Sequence, residues 1–307
     1  MSFVERLDNI YAVDAKMFGF DRYLSIYLVK GKEVALIDTG LPPQIEAVRA
    51  GIKAQGFSIN DISYIFITHS HPDHCGNVAP LLRESPKAKV YIHPLGSAEL
   101  IDPSIDFARR KQVLPPQMAA RFGEMEPVPP SRIQNLNDGD VFDLGGGEKL
   151  KIIFAPGHQS SGVVIFEQKN KGLFINDLVG NYLADADAHY PLNPPGSDHQ
   201  QAIQSLKKLM ELPIANLYLG HYGIIRESPK QVMARAIDKM QQLLDIGTEY
   251  MRAGKPEDIA GKVYQTILPE LEKLRPVRGE TVYQYATQEH VSAQAKLFAK
   301  YCQERLT

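Results

Sequence analysis

The chain has 307 residues, 44% apolar and 23% charged, a globular composition that excludes a mainly disordered protein. Lys and Arg number 34 against 36 Asp and Glu, a net charge of −2, so no basic footprint for nucleic acid stands out. Two cysteines exclude a disulfide framework, "MSFVERLDNI" carries charge too early for a secretion signal, and no apolar run reaches the ~20 residues that cross a bilayer; a cytoplasmic protein with no membrane span is expected.

The first forty residues read as strands, with "YLSIYLV" and "EVALIDTG" flanking the turn "KGKE". "LPPQIEAVRAGIKAQGF" reads as a helix, because Pro42 and Pro43 sit where a missing N–H costs little and Ile45, Val48 and Ile52 form a stripe. "ISYIFIT" is nearly all apolar, which predicts a strand in the middle of a sheet. A histidine-rich turn follows, then a helix over "NVAPLLRES" and a strand over "AKVYIHP", and this alternation predicts layered α/β architecture. Residues 94–131 hold seven prolines and no clear strand, the pattern of a lid or of a surface excursion packed on its own core. Strands resume in "VFDLGGGEKLKIIFAPGH" and the hairpin "GVVIFEQKNKGLFINDL". A helix capped by Ser197 or Asp198 and the strand "IANLYLGHYG" complete this part. From Ser228 only helices are expected: Ser228, Pro229 and Gln231 suggest a capping box, Gly254 a helix end, and Val291, Ala295, Phe298 and Cys302 one buried stripe.

The densest chemistry lies in "THSHPDHCGN", with three histidines and an aspartate between His69 and His74. Buried together uncharged they lose hydration, and protonated they repel, so a metal, a solvated loop or an anion must account for them. In an extended segment residues two apart share a side, so His69 and His71 can converge on one ion. Asp73 and His74 follow Pro72, where the chain turns, and can diverge to a second ion. One loop cannot complete two coordination shells. His158 in "APGHQSSG", Asp177 in "FINDL" and His221 in "LGHYG" each follow a β-run, so one sheet edge can gather all seven side chains.

As a set, these segments resemble the metallo-β-lactamase superfamily: "THSHPDHCGN" is similar to its H-x-H-x-D-H signature, and "LIDTG", "APGHQSSG", "FINDL" and "GHYG" follow in its order across residues 8–227. The resemblance implies a four-layer αββα sandwich, with a catalytic domain over residues 1–227 and a helical extension over 228–307. It also implies two divalent metal ions, zinc by expectation, with iron and manganese accepted by the same donors. His69, His71 and His158 would hold the first ion, Asp73, His74 and His221 the second, with Asp177 bridging. Asp38 would steady the loop by orienting a ligand. The implied chemistry is hydrolysis by a metal-bound hydroxide, with Asp73 and Asp177 as the catalytic carboxylates. Tyr182, Tyr190 and Tyr222 are candidates to polarise a substrate carbonyl.

Other readings carry less. Cys75 is expected to be a buried inert thiol. "SLKK" at Ser205 lacks the companion motifs of serine β-lactamases. His93, His189, His199 and His290 read as satisfied or solvated histidines. Flavodiiron oxygen reductases share the fold but carry a glutamate where His71 stands. Among hydrolases, the helical extension favours a small-molecule thioester, ester or lactone. Phosphodiester or RNA cleavage is the alternative, for which "ARRK" at Ala108–Lys111 is the one basic run, and a metal-bearing scaffold that binds a partner protein is third. "LRPVRG" at Leu274–Gly279 is a weak substitute for a glutathione-binding pattern, and a homodimer is compatible with the chain.

Overall fold

The computed structural model describes residues 5–191 and 194–306; the ends of the two expected domains, residues 1–4 and 307, lie outside the described residues. Seven strands form the first sheet in chain order: β1 (Arg6–Leu7), β2 (Ile10–Asp14), β3 (Ser25–Lys30), β4 (Val34–Ile37), β5 (Ile62–Phe66), β6 (Lys89–Ile92) and β7 (Ile133–Asn135). Pairing is antiparallel up to β4 and parallel beyond it. The parallel crossovers carry helices, as the geometry of parallel pairs requires: α1 (Ile45–Ala54), the short α2 (Pro72–Cys75), α3 (Val78–Glu84), α4 (Ser97–Ile101), α5 (Ser104–Val113) and α6 (Pro116–Arg121). The apolar β5 is flanked by β4 and β6, as its composition predicts. The proline-rich segment 94–131 is largely helical, since its prolines stand at helix starts: Pro94 and Pro116 occupy first-turn positions.

The second sheet has the order β15–β14–β11–β10–β9–β8. Its strands are β8 (Val141–Gly145), β9 (Glu148–Phe154), β10 (Val163–Glu167), β11 (Gly172–Asn176), β14 (Asn216–Leu219) and β15 (Ile224–Ile225). Between β11 and β14 come the hairpin β12 (Asn181–Leu183) and β13 (Ala188–Tyr190), then α7 (His199–Leu209), whose N-cap Asp198 accepts from the Gln201 N–H. Only β11 and β14 pair in parallel.

Alternation along the strands builds the layers. Ala12, Tyr27, Val29, Ile37 and Phe66 of the first sheet share a buried cluster with Leu150, Ile152, Ile165, Phe174 and Tyr218 of the second. The alternate residues Val13, Ile26, Leu28 and Leu36 join Val48, Ile52, Leu81 and Leu82 of α1 and α3, while Val164, Leu173 and Leu217 join Ile203 and Leu206 of α7. Helix, sheet, sheet and helix thus stack as four layers. A one-residue slip in any of these strands would exchange its two faces, so register is set by burial on both sides.

The extension consists of α8 (Pro229–Arg252), α9 (Ile259–Glu272), α10 (Arg275–Gln284), a π-helical segment (Tyr285–Val291) and α11 (Ser292–Arg305). Ser228 stands at the N-cap of α8, but the expected capping box does not form: its side chain makes no cap bond, and its carbonyl accepts from Gln231 and Val232. Gly254, with φ +68°, follows the helix end as expected. Cys302 is fully buried, facing Gly247 so closely that an added Cβ there would lie 2.4 Å from the thiol sulfur. Arg278 of "LRPVRG" ties the extension to the sandwich through Asp185 (3.0 Å) and the carbonyls of Asp21 and Arg22 (2.9 and 3.2 Å). Among the described residues no helix is long and apolar enough to cross a membrane.

Candidate metal centre

Every donor foreseen in the sequence stands just beyond the C-terminal end of a strand, on one rim of the sandwich. Asp38 follows β4, the segment from Thr68 to His74 follows β5, His158 follows β9, Asp177 follows β11 and His221 follows β14. Backbone bonds stitch these ends across the rim: Val163 N–H to the Thr68 carbonyl (2.8 Å), Thr39 N–H to that of His74 (2.7 Å) and Ser25 N–H to that of Gly220 (2.7 Å). Gly220 is required by closeness, because a Cβ there would sit 2.8 Å from Asp177 Oδ1 and 3.0 Å from the His74 ring.

Two donor sets result. His69, His71 and His158 form one, and Asp73, His74, Asp177 and His221 the other, with the ligand atoms of each set within 4.8 Å of one another. In the first, His71 Nδ1 lies 3.0 Å from His69 Nε2 and 3.1 Å from His158 Nε2. In the second, Asp177 Oδ2 lies 3.3 Å from His74 Nε2 and 3.4 Å from His221 Nε2. The same oxygen is 3.6 Å from His158 Nε2 and 3.9 Å from His69 Nε2, so it faces both sets.

The outer contacts fix which ring nitrogens face inward bare. His74 Nδ1 donates to Asp38 Oδ2 at 2.8 Å, and His221 Nδ1 donates to the Tyr23 carbonyl at 2.7 Å. Thr68 Oγ1 donates to Asp38 and accepts from His69 Nδ1 at 3.2 Å. Each bond places the proton on Nδ1 and leaves the Nε2 lone pair pointing at the other donors. His74 Nε2 and Asp177 Oδ1 are buried with no hydrogen-bond partner. Converging lone pairs and carboxylates in a buried site repel unless positive charge lies between them, so these residues fit divalent cations.

The electrostatics divide along the same line. Burial holds His71 and His158 at about 3, with the Arg109 charge also acting on His71. Burial opposes charge on His74 and His221 as well, but Asp177 and the neighbouring carboxylates outweigh it and lift both above the ordinary imidazole value. For Asp177 burial works upward, and His221 and His74 overcome it to keep the carboxylate ionised. One set therefore offers neutral imidazoles, while the other attracts positive charge.

The sets form the floor of a cavity whose empty space, mouth included, is about 770 Å³. Its walls are Met17, Val113, Leu114, Met118, Phe122 and Leu297, so segment 94–131 and the extension both close over the rim. The cavity's arginines arrive paired. Arg109 bonds Glu99 (2.7 Å) and Asp106 (3.2 Å), and Arg110 bonds Asp106 (2.6 Å) and the carbonyls of Ala119 and Gly123. "ARRK" is thus a local ion-paired knot and no basic stripe.

Of the other residues singled out, Cys75 is buried, its thiol donating to the Ser70 carbonyl, with burial raising it far above the ordinary thiol value. Ser205 donates to the Pro156 carbonyl. His93 caps a turn by accepting from the Leu95 N–H, His189 bonds the Val179 carbonyl, and His199 packs on Phe298. Tyr182 bonds Glu227 beneath Arg235, Tyr190 accepts from Asn181, and Tyr222 is buried; none of the three lines the cavity. The cavity tyrosines are Tyr23 and Tyr285, which no sequence motif marks. His290 joins neither donor set, but the π-helical segment that carries it places it in the cavity lining with its Nδ1 buried and without a hydrogen-bond partner.

Residues 19–221 match the profile of the Metallo-beta-lactamase superfamily. The metallo-beta-lactamase fold-containing protein ST1585 of Sulfurisphaera tokodaii is 24% identical over 250 residues, 78% of this chain and 89% of that protein; its solved structure superposes with a TM-score of 0.63. A family protein of Thermus thermophilus, TTHA1429, has 19% identity, covers 97% of this chain and 94% of its own, and gives a TM-score of 0.66, so the fold is shared nearly end to end. Diflavin flavoprotein A 3 of Nostoc sp. is 24% identical over 224 residues, 68% of this chain, and the match spans only 35% of that relative's length. Some relatives are therefore flavoproteins, longer than the part they share with this chain. With its profile match, its four-layer fold and its histidine–aspartate rim, the chain belongs to the metallo-β-lactamase superfamily, a group of metallo-hydrolase-like proteins.

Proposed function

We propose that the protein is a metal-dependent hydrolase of an uncharged small-molecule ester, thioester or lactone. The observation that carries this reading is the narrow apolar cavity above the two donor sets, in which Arg109 and Arg110 are both neutralised by Glu99 and Asp106. A phosphodiester or a nucleotide brings fixed negative charge and calls for unpaired cations; an acyl chain calls for apolar walls.

In this reading His69, His71 and His158 hold one ion, and Asp73, His74 and His221 the second. Asp177, whose Oδ2 faces both sets, would serve either ion. Zinc is the expected metal. Bound cations would supply an activated water and polarise the scissile acyl oxygen. The chain's own groups do the rest. Asp38 fixes the His74 ring, and the Tyr23 carbonyl fixes that of His221. Asp73, beside both Nε2 atoms at 3.6 and 3.7 Å, can take a hydrogen bond from the attacking water and hold it in line. The apolar walls exclude bulk water from the acyl group. Relatives with flavin cofactors raise an oxidoreductase alternative, but the match covers only about a third of such a protein and a histidine occupies position 71.

The test is a substrate panel with the zinc-loaded protein. Turnover of chromogenic esters, thioesters or lactones, with bis(p-nitrophenyl) phosphate left intact, is the expected result. Preferential cleavage of the diester would instead favour the nuclease alternative.

A further inference from the structure

The extension contributes more than a wall. In an α-helix, residues five apart point about 140° away from each other, so Tyr285 and His290 could not both face one cavity. Between Tyr285 and Val291 the backbone follows a π-helix, which closes each turn with an added residue. That added residue brings the two rings into register: Tyr285 and His290 stack with centroids 5.6 Å apart and planes 19° apart, and both line the cavity. Tyr285 also packs edge-on against Tyr23, which in turn packs against His221. His290 thus stands on the side of the centre that holds His221 and Asp73, the groups that most influence its charge. Its Nδ1 is buried and makes no hydrogen bond within the protein. A buried ring nitrogen without a partner costs stability and is explained where a ligand completes it. Burial, and then the nearby His221, hold the ring down to about 4, so at neutral pH it is uncharged.

We infer that His290, presented by the π turn, is a catalytic residue that donates a hydrogen bond from Nδ1 to the leaving atom of the substrate. The inference rests on the ester-hydrolase reading above. Water adds its oxygen to the acyl carbon. The acyl–oxygen bond then breaks, with its electron pair passing to the leaving oxygen. One proton of the water ends on that oxygen and the other leaves with the carboxylic acid. His290 neither gains nor loses a proton overall; it stabilises the oxygen while the charge is there.

The experiment compares wild type, His290→Ala and His290→Asn on phenyl and ethyl esters of one acyl group, with metal content and circular dichroism measured alongside. The expected result is unchanged metal and fold. Loss for His290→Ala should be about 10²-fold on the ethyl ester, whose leaving group is poor, and below about threefold on the phenyl ester. Partial recovery is expected for His290→Asn, whose amide N–H can reach the same oxygen. Equal losses on both esters, or no loss on either, would overturn the inference while leaving the hydrolase reading intact. A wild-type protein that carries its metals and cleaves neither these esters nor any thioester or lactone of the panel above would sink the hydrolase reading, and the role of His290 with it.

Discussion

The rim of the sandwich and the C-terminal extension meet in one cavity but are built differently. On the rim, seven ligand-type side chains come from four strand ends, and three of the rings are held from behind, His69 by Thr68, His74 by Asp38 and His221 by the Tyr23 carbonyl. The extension instead offers Tyr285, His290, Gln294 and Leu297 from two consecutive helical segments. The rim is suited to holding cations, and the extension to shaping what reaches them and presenting His290 to it. The relatives differ in extent: one shares the fold over nearly the whole chain, whereas another matches 68% of the chain within a longer flavoprotein.

Breaking the rim should have the largest effect. Asp73→Ala removes a carboxylate from the second donor set and is expected to lower turnover by about a thousandfold, roughly 4 kcal/mol on the barrier, in steady-state assays with metal supplied. Asp38→Asn leaves all seven donors in place but replaces the acceptor that orients His74. A loss of metal affinity of about 10–100-fold is expected by competition with a chelating dye, with the circular dichroism spectrum unchanged. Softening the extension should act on binding: Leu297→Ala is expected to raise KM about tenfold for the longer acyl esters with kcat nearly constant, the signature of lost uniform binding.

One effect falls on stability rather than on turnover or binding, and concerns the hairpin between the two regions. Burial holds His189 at about 4, below the 6.5 of an exposed imidazole, while its backbone N–H bonds Glu270 of α9. Between pH 6.5 and 4 the unfolded chain binds the proton and the native state does not. Stability contributed by the neutral ring is therefore complete above pH 6.5 and falls as the pH drops toward 4, by about 3 kcal/mol at most. Denaturant unfolding of wild type and His189→Asn over that window should show the acid-side slope reduced in the variant.

The two regions also differ in how openly the sequence declares them. Strand ends are marked locally: apolar β-runs stop at "THSHPDH", "APGH", "FIND" and "LGHYG", and the period-two burial of β2 and β3 follows directly from alternation. The donors were readable because one short loop needs partners and only strand ends of one rim can supply them. What stayed hidden depends on packing between distant segments. Tyr23 enters the cavity because it lies in the bend just before β3, which bonds Gly220 and His221 across the rim, and its own sequence is ordinary. His290 reads as a satisfied or solvated tail histidine because no partner spacing marks it, and the π turn that sets it beside Tyr285 has no composition of its own. The same holds for Arg109 and Arg110. Their basic run looked like a local charge feature, and only folding of residues 94–131 set Glu99 and Asp106 against them.

The central claim is that a single carboxylate, Asp177, joins two cation sites. Metal analysis of the purified protein and of Asp177→Ala, by mass spectrometry after dialysis against trace zinc, tests it most directly. The account predicts two zinc ions per chain in the native protein, and loss of at least one in the variant together with loss of turnover. A native protein that retains no stoichiometric metal, or a variant that keeps its full metal content and activity, would contradict it.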